Sequence, residues 1–239
     1  VDDDRLAGEV LAARSASIRA RHQEAESRIA AVLAESPSAA LRARATLEAA
    51  EIAERAGQRR EGHERFAEAR RLLSALGDRR GTGRAAIGQG TMAAYLGDIE
   101  AAVELCQRAI EELTGIDEPL LLGRAERALG NLHLLRAETE DARQRYDAAL
   151  ARFVAVDAEH DIHKTLNGLA ESYRLAGRLE IAIEAFEVLL DRQRRMVATS
   201  DLDLTQFNLG LTLIALRRFE EAAWRLGEVE AGLVERPNE

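Results

Sequence analysis

The chain has 239 residues and only one cysteine, so no disulfide can form within it; a reducing, cytoplasmic setting is the natural reading. Proline occurs three times and aromatic residues make up 4% of the chain. With so few helix breakers and few β-branched runs, the composition favours helices over sheets. No apolar run approaches the roughly 20 residues that a membrane-spanning helix needs, and no secretion signal is evident. No membrane partner is expected. Positive charge is also in deficit: the formal net charge is −9. That balance argues against a broad basic face for nucleic acid. Lysine is almost missing, since Lys164 is the only one and every other cation is Arg. This bias reads as a GC-rich, bacterial source. The first residue is Val1 rather than Met, which reads as a piece of a longer protein. Phosphate-cradling glycine loops, HExxH and a nucleophile elbow are missing too, so neither an enzyme nor a cofactor is expected.

What the chain has instead is a period. Gly90, Gly130, Ala170 and Gly210 stand 40 residues apart. Ala102, Ala142, Ala182 and Ala222 form a second series, and Gly57, Gly97, Ala137 and Gly177 a third. A sustained period of this length marks stacked helical hairpins, with small residues where helices touch and a turn residue between them. Six units follow: residues 1–37, 38–77, 78–117, 118–157, 158–197 and 198–234, the first diverged and shorter. Gly77-Asp78 closes one unit and caps the next, Pro119 suits a helix start, and Ser200 or Asp201 suits the N-cap of the sixth unit. The expected architecture is an all-α solenoid of about twelve helices, read as one domain over residues 1–239.

The fifth unit carries Leu169-Ala170, Tyr173, Gly177, Ala182 and Phe186; the fourth carries Leu129-Gly130, Ala142, Tyr146 and Ala149. These residues resemble the tetratricopeptide repeat. The 40-residue spacing, with Gly83-Arg84-Ala85 and Gly123-Arg124-Ala125 followed by Leu129-Gly130-Asn131, is similar to the longer branch seen in the LGN/Pins group, kinesin light chain and MalT-like arrays. The resemblance implies a right-handed superhelix whose concave groove, lined by the first helix of each unit, binds a peptide or a partner helix. It implies no reaction.

On those first helices, equivalent positions hold Arg44, Arg84, Arg124, Lys164 and Leu204. Arg127, Asn131, Asn167, Glu171 and Arg174 lie further along them. Arg forks a carboxylate and Asn bonds a peptide group through donor and acceptor, so the expected guest is an acidic protein or peptide. Arg127 and Asn131 also match two positions of the family's carboxylate clamp. The competing reading pairs these cations with acids on neighbouring helices, which makes the ladder structural. Two further readings of the whole chain are a ligand-sensing or autoregulatory segment of a larger bacterial regulator or kinase, and self-assembly into a homo-oligomer through the array ends at Trp224 or Leu233.

Three local features read as structural. Glu159-His160-Asp161-x-His163 lacks a second cluster and reads as helix-start acids rather than a metal site. Cys106 fills the slot of Phe66, Tyr146 and Phe186, and reads as a core contact. Most of the acidic surplus is expected on the solvated face of the second helices, as at Glu111-Glu112 and Glu220-Glu221.

Overall fold

A computed structural model describes residues 2–35, 37–195 and 199–235, with the backbone alone at 195, 199–201 and 231–235. Twelve helices run through these residues: α1 (Asp3–Ile18), α2 (His22–Ala34), α3 (Ala39–Arg55), α4 (Arg59–Ala75), α5 (Arg79–Tyr95), α6 (Ile99–Leu113), α7 (Pro119–Leu135), α8 (Thr139–Val154), α9 (Glu159–Leu175), α10 (Leu179–Arg195), α11 (Thr199–Ala215) and α12 (Phe219–Glu235). They pair as six hairpins, and the tetratricopeptide-like repeat fold is what the periodic glycines and alanines predict. The chain packs as two compact units, Val1–Ala128 and Leu129–Glu239.

The third periodic series is a series of turns. Gly57, Gly97, Ala137 and Gly177 all have positive φ, between 60° and 89°, and Ala20 and Arg217 extend the series to the first and last hairpins. Each closes its helix in the same way. In the third hairpin Asp98 N–H reaches back to the Ala93 carbonyl at 3.0 Å, and in the fourth Glu138 N–H reaches the His133 carbonyl at 2.9 Å. Those bonds satisfy carbonyls that a helix end leaves unpaired. The next helix then starts on an acid or hydroxyl where one is present: Asp78 accepts from Gly81 N–H at 2.8 Å, Asp98 from Ala101 N–H at 3.1 Å, and Ser38 from Leu41 N–H at 3.3 Å. The sixth unit departs from expectation. α11 already includes Ser200 and Asp201, so neither is its N-cap, and residues 196–198 lie outside the described residues.

Each core joins a hairpin to the helix that follows it. In the first unit Phe66 on α4 packs with Ala43, Leu47 and Ala50 of α3 and Ala85 and Met92 of α5. A Cβ on Gly88 would stand 2.3 Å from the Phe66 ring, so the ring occupies the space where a side chain of α5 would be. In the second unit Tyr146 does the same twice: a Cβ on Gly130 or on Gly168 would each lie 2.7 Å from its ring. Phe186 anchors the next core with Ala170, Ala182, Leu209, Leu213 and Ala222. Burying one such ring contributes roughly 1.5–3 kcal/mol, and the glycines are what allow the helices close enough to do it. Leu226 and Val229 on α12 are only half-buried, because among the described residues no further helix packs over them.

Within each unit the odd-numbered helices also meet one another: α1 lies against α3, α3 against α5, and α9 against α11. In each unit they form a wall, which carries Arg44 and Arg84 in the first and Lys164, Asn167, Glu171 and Arg174 in the second.

Candidate peptide-binding surface

In the first unit the wall has a charged centre built on α3. Glu48 and Glu51, one turn apart, have side chains only 8% and 10% exposed. Three guanidinium groups surround them. Arg14 from α1 comes within 3.4 Å of Glu48 and 3.7 Å of Glu51, and Arg55 from α3 within 3.6 Å and 3.2 Å. Arg84 from α5 reaches Glu51 at 2.5 Å. Burial, reinforced by the Glu51 charge, pushes the Glu48 carboxyl above the usual carboxylate range, and the three arginines pull it back only in part. Glu54, one turn further along, is raised by the same causes, burial first and then Glu51. Most helical acids do lie on the second helices of the hairpins, as expected, and these three are an exception on a first helix. Their signal was present as acids at i, i+3 and i+6 on one face of an alanine-rich helix.

The ladder residues divide by their surroundings. Arg44 on α3 and Lys164 on α9 are exposed and make no ion pair among the described residues. Arg84 is half-buried and tied to Glu51. Arg124 and Arg127, both half-buried on α7, are engaged with other groups as well. Leu204, the fifth position of the series, is 53% exposed on α11.

In the second unit, Asn131 is exposed and its side-chain oxygen accepts the Tyr146 hydroxyl at 2.7 Å, so it holds the core ring in place. Asn167 on α9 accepts from Asn208 on α11 at 3.2 Å. Arg174 pairs with Glu171 one turn before it, Nε to Oε2 at 2.7 Å. This wall therefore presents amide and ion-pair groups whose hydrogen bonds are partly spent within it.

Elsewhere, Asp161 and His163 are buried, and His163 Nε2 lies 3.7 Å from Glu159 Oε2. A grouping that sequence reading missed sits at the α7–α8 turn. There His133, Glu138 and Asp141 have ligand atoms within 4.8 Å of one another, with His133 Nδ1 2.6 Å from Glu138 Oε2. Only the folded turn brings them together. Cys106 is fully buried and its thiol is pushed up to about 12 by burial, which removes the thiolate a nucleophile needs. No described helix is long and apolar enough to cross a membrane.

No family model and no curated protein matches the chain. Solved structures do. NprR in complex with its cognate peptide NprX superposes with a TM-score of 0.76 at 13% identity, over 98% of this chain and 69% of that one. A signal-transduction ATPase with a tetratricopeptide repeat sensor from Pyrococcus horikoshii gives 0.76 at 13% identity, over 98% of this chain but only 38% of its own. BtubC (BKLC) from P. vanneervenii gives 0.68 at 17% identity, over 98% and 93%. The likeness is one of fold: the chain is an array of tetratricopeptide-like repeats.

Proposed function

We propose that the chain is a protein-interaction module whose odd-helix wall takes an acidic peptide or helix. The observation that carries this reading is the recurrence of cations at one position of successive odd helices, with Arg44 and Lys164 exposed and unpaired among the described residues. Arg84, Arg124 and Arg127 share the first unit with Arg44, and Asn131, Asn167, Glu171 and Arg174 share the second with Lys164. Arg84 is a partial member of the site, because its present partner is Glu51. A carboxylate on the guest must compete with Glu51, an exchange of like for like that returns little energy on its own. Arg44 and Lys164 carry no such competitor, so they supply the first attraction and most of the salt dependence.

NprR, whose structure was solved with a bound peptide, supports the reading by fold. The repeat sensor of the P. horikoshii ATPase supports a second one, in which the chain is the sensing segment of a larger bacterial, cytoplasmic regulator. Both are binding roles rather than reactions. The test is fluorescence anisotropy with a labelled Glu-rich peptide set and a matched Gln-rich set. Saturable, salt-sensitive binding of the Glu-rich set, weakened about tenfold or more in Arg44→Ala/Arg84→Ala/Arg124→Ala, is expected. Equal binding of both sets overturns the acidic reading, and unchanged affinity in the triple variant removes the wall.

A further inference from the structure

The turn of the fourth repeat carries side chains that the repeat itself does not ask for. His133 lies in the last turn of α7, Glu138 precedes α8, and Asp141 lies in the first turn of α8. The backbone fixes their spacing. Glu138 N–H donates to the His133 carbonyl at 2.9 Å, which folds the two residues against each other across Ala137 at φ 60°. Asp141 follows Glu138 by three residues and so shares its side of the helix. The three ligand atoms then lie within 4.8 Å of one another, and His133 Nδ1 donates to Glu138 Oε2 at 2.6 Å. At the His133 position the second, third, fifth and sixth repeats have Ala53, Ala93, Tyr173 and Leu213, so none of them offers an imidazole. The carboxylate is also used differently. In the third repeat Asp98 caps its own helix, accepting from Ala101 N–H at 3.1 Å. Glu138 makes no such cap, and its carboxylate meets His133 instead.

We propose that His133, Glu138 and Asp141 are the ligands of a divalent transition-metal ion of the Zn²⁺ class. This goes beyond the acidic-guest reading and does not depend on it. One imidazole nitrogen and two carboxylate oxygens suit such an ion, whereas Mg²⁺ and Ca²⁺ take oxygen ligands. Ligand atoms around a tetrahedral Zn²⁺, each about 2.0–2.2 Å from it, stand roughly 3.3–3.6 Å apart. The spacings in the cluster, 2.6 Å for one pair and at most 4.8 Å for all, bracket that value. Asp141 is exposed, so its side chain adjusts without disturbing the core. The ion takes the place of the proton between Nδ1 and Oε2, which leaves a neutral imidazole with its proton on Nε2 and two ionised carboxylates. Their two charges balance the charge of the ion. Arg143, the next cation along α8, is bonded to Glu140 and lies over the Tyr173 ring at 5.3 Å. Three protein ligands leave a fourth position for water or for a donor from a partner. Because both helices of the hairpin supply ligands, the ion binds the folded turn in preference to the unfolded chain and stabilises it.

Isothermal titration of the full chain, free of any affinity tag, with Zn²⁺ tests this, and Co²⁺ absorption reports on the ligand set. One ion per chain is expected, with a dissociation constant below about 100 μM and a melting temperature that rises with added Zn²⁺. Mg²⁺ and Ca²⁺ should give no comparable heat. His133→Ala and Asp141→Asn should each weaken Zn²⁺ binding about tenfold or more and remove the rise in melting temperature, while the helical signal holds. Asp141→Asn separates the metal site from a turn held by the His133–Glu138 hydrogen bond alone, since Asp141 takes no part in that bond. His160→Gln, at an exposed histidine outside the cluster, should leave the titration unchanged. No binding up to about 1 mM Zn²⁺ overturns the proposal. So does unchanged affinity in Asp141→Asn, loss of binding in His160→Gln, or Ca²⁺ binding as tight as Zn²⁺. Loss of acidic-peptide binding with Zn²⁺ binding intact would count against the wall and leave this site standing.

Discussion

Ala137 holds the hairpin turn of the fourth repeat at φ 60°, in the same place where the third repeat uses Gly97 at φ 89°. An L-residue in that region brings its Cβ close to the carbonyl, at a cost of about 1–2 kcal/mol. Glycine there removes the strain but adds freedom to the unfolded chain, which costs about 0.4–1 kcal/mol. Ala137→Gly should therefore stabilise the protein by about 0.5–1 kcal/mol, the difference between the two. Ala137 is exposed, so little packing is lost with its methyl. Gly97→Ala should do the reverse and cost more, about 1–2 kcal/mol, since φ 89° is further from the left-handed minimum near 57°. A Cβ at Gly97 meets nothing within 4 Å, so the loss reports backbone strain alone. The control is Ala223→Gly, an exposed alanine inside α12, where the same substitution should destabilise by about 1 kcal/mol. Urea unfolding followed by circular dichroism reads all three. Because a repeat array need not unfold in one step, the midpoints and slopes are compared together. If Ala137→Gly destabilises as Ala223→Gly does, turn conformation is not what sets the repeat, and the account of the third periodic series is wrong.

Three other outcomes follow from the same geometry. Gly88→Ala should destabilise by about 2 kcal/mol or more through collision with Phe66, and Phe66→Leu on that background should recover part of the loss in a double-mutant cycle, whereas Phe66→Leu alone only loses. Because the Glu48 carboxyl is raised in the folded state, the folded protein holds more protons between the ordinary carboxylate range and the raised value, so its contribution falls as pH rises through that window. Glu48→Gln should accordingly be at least as stable as the parent at pH 7, and the gap should shrink as pH falls from the raised value towards the ordinary carboxylate range; thermal melts across pH 4–8 give the answer. Glu51→Gln should release Arg84 and tighten binding of the Glu-rich peptide set, and a fall in affinity would show that the Arg84–Glu51 pair shapes the wall rather than competing for the guest.

How much of this could be read beforehand differs between the repeat and its surface. The period, the turn positions and the small-residue contacts were legible because each follows from geometry that recurs with the chain. A glycine at the hairpin turn, an alanine where helices cross and an aromatic one helix over report local backbone shape and neighbour distance, and stacking imposes the same demands at every step. Ala137 and Arg217 show that the demand belongs to the position, since both adopt the turn conformation without being glycine. The end of the array was less legible. Leu226 and Val229 follow the core pattern yet remain half-buried, because burial needs a neighbour that the pattern itself cannot supply.

The charges were the least legible part. Arg44 and Arg84 occupy equivalent positions and look alike in the sequence, but one faces solvent and the other grips Glu51 from a different helix. Glu48 and Glu51 looked like any surface acids until three helices closed round them. Period and turn follow from a residue and its near neighbours along the chain. The partner of a charge depends on which side chains from other helices arrive within a few ångströms, and only the packed fold settles that.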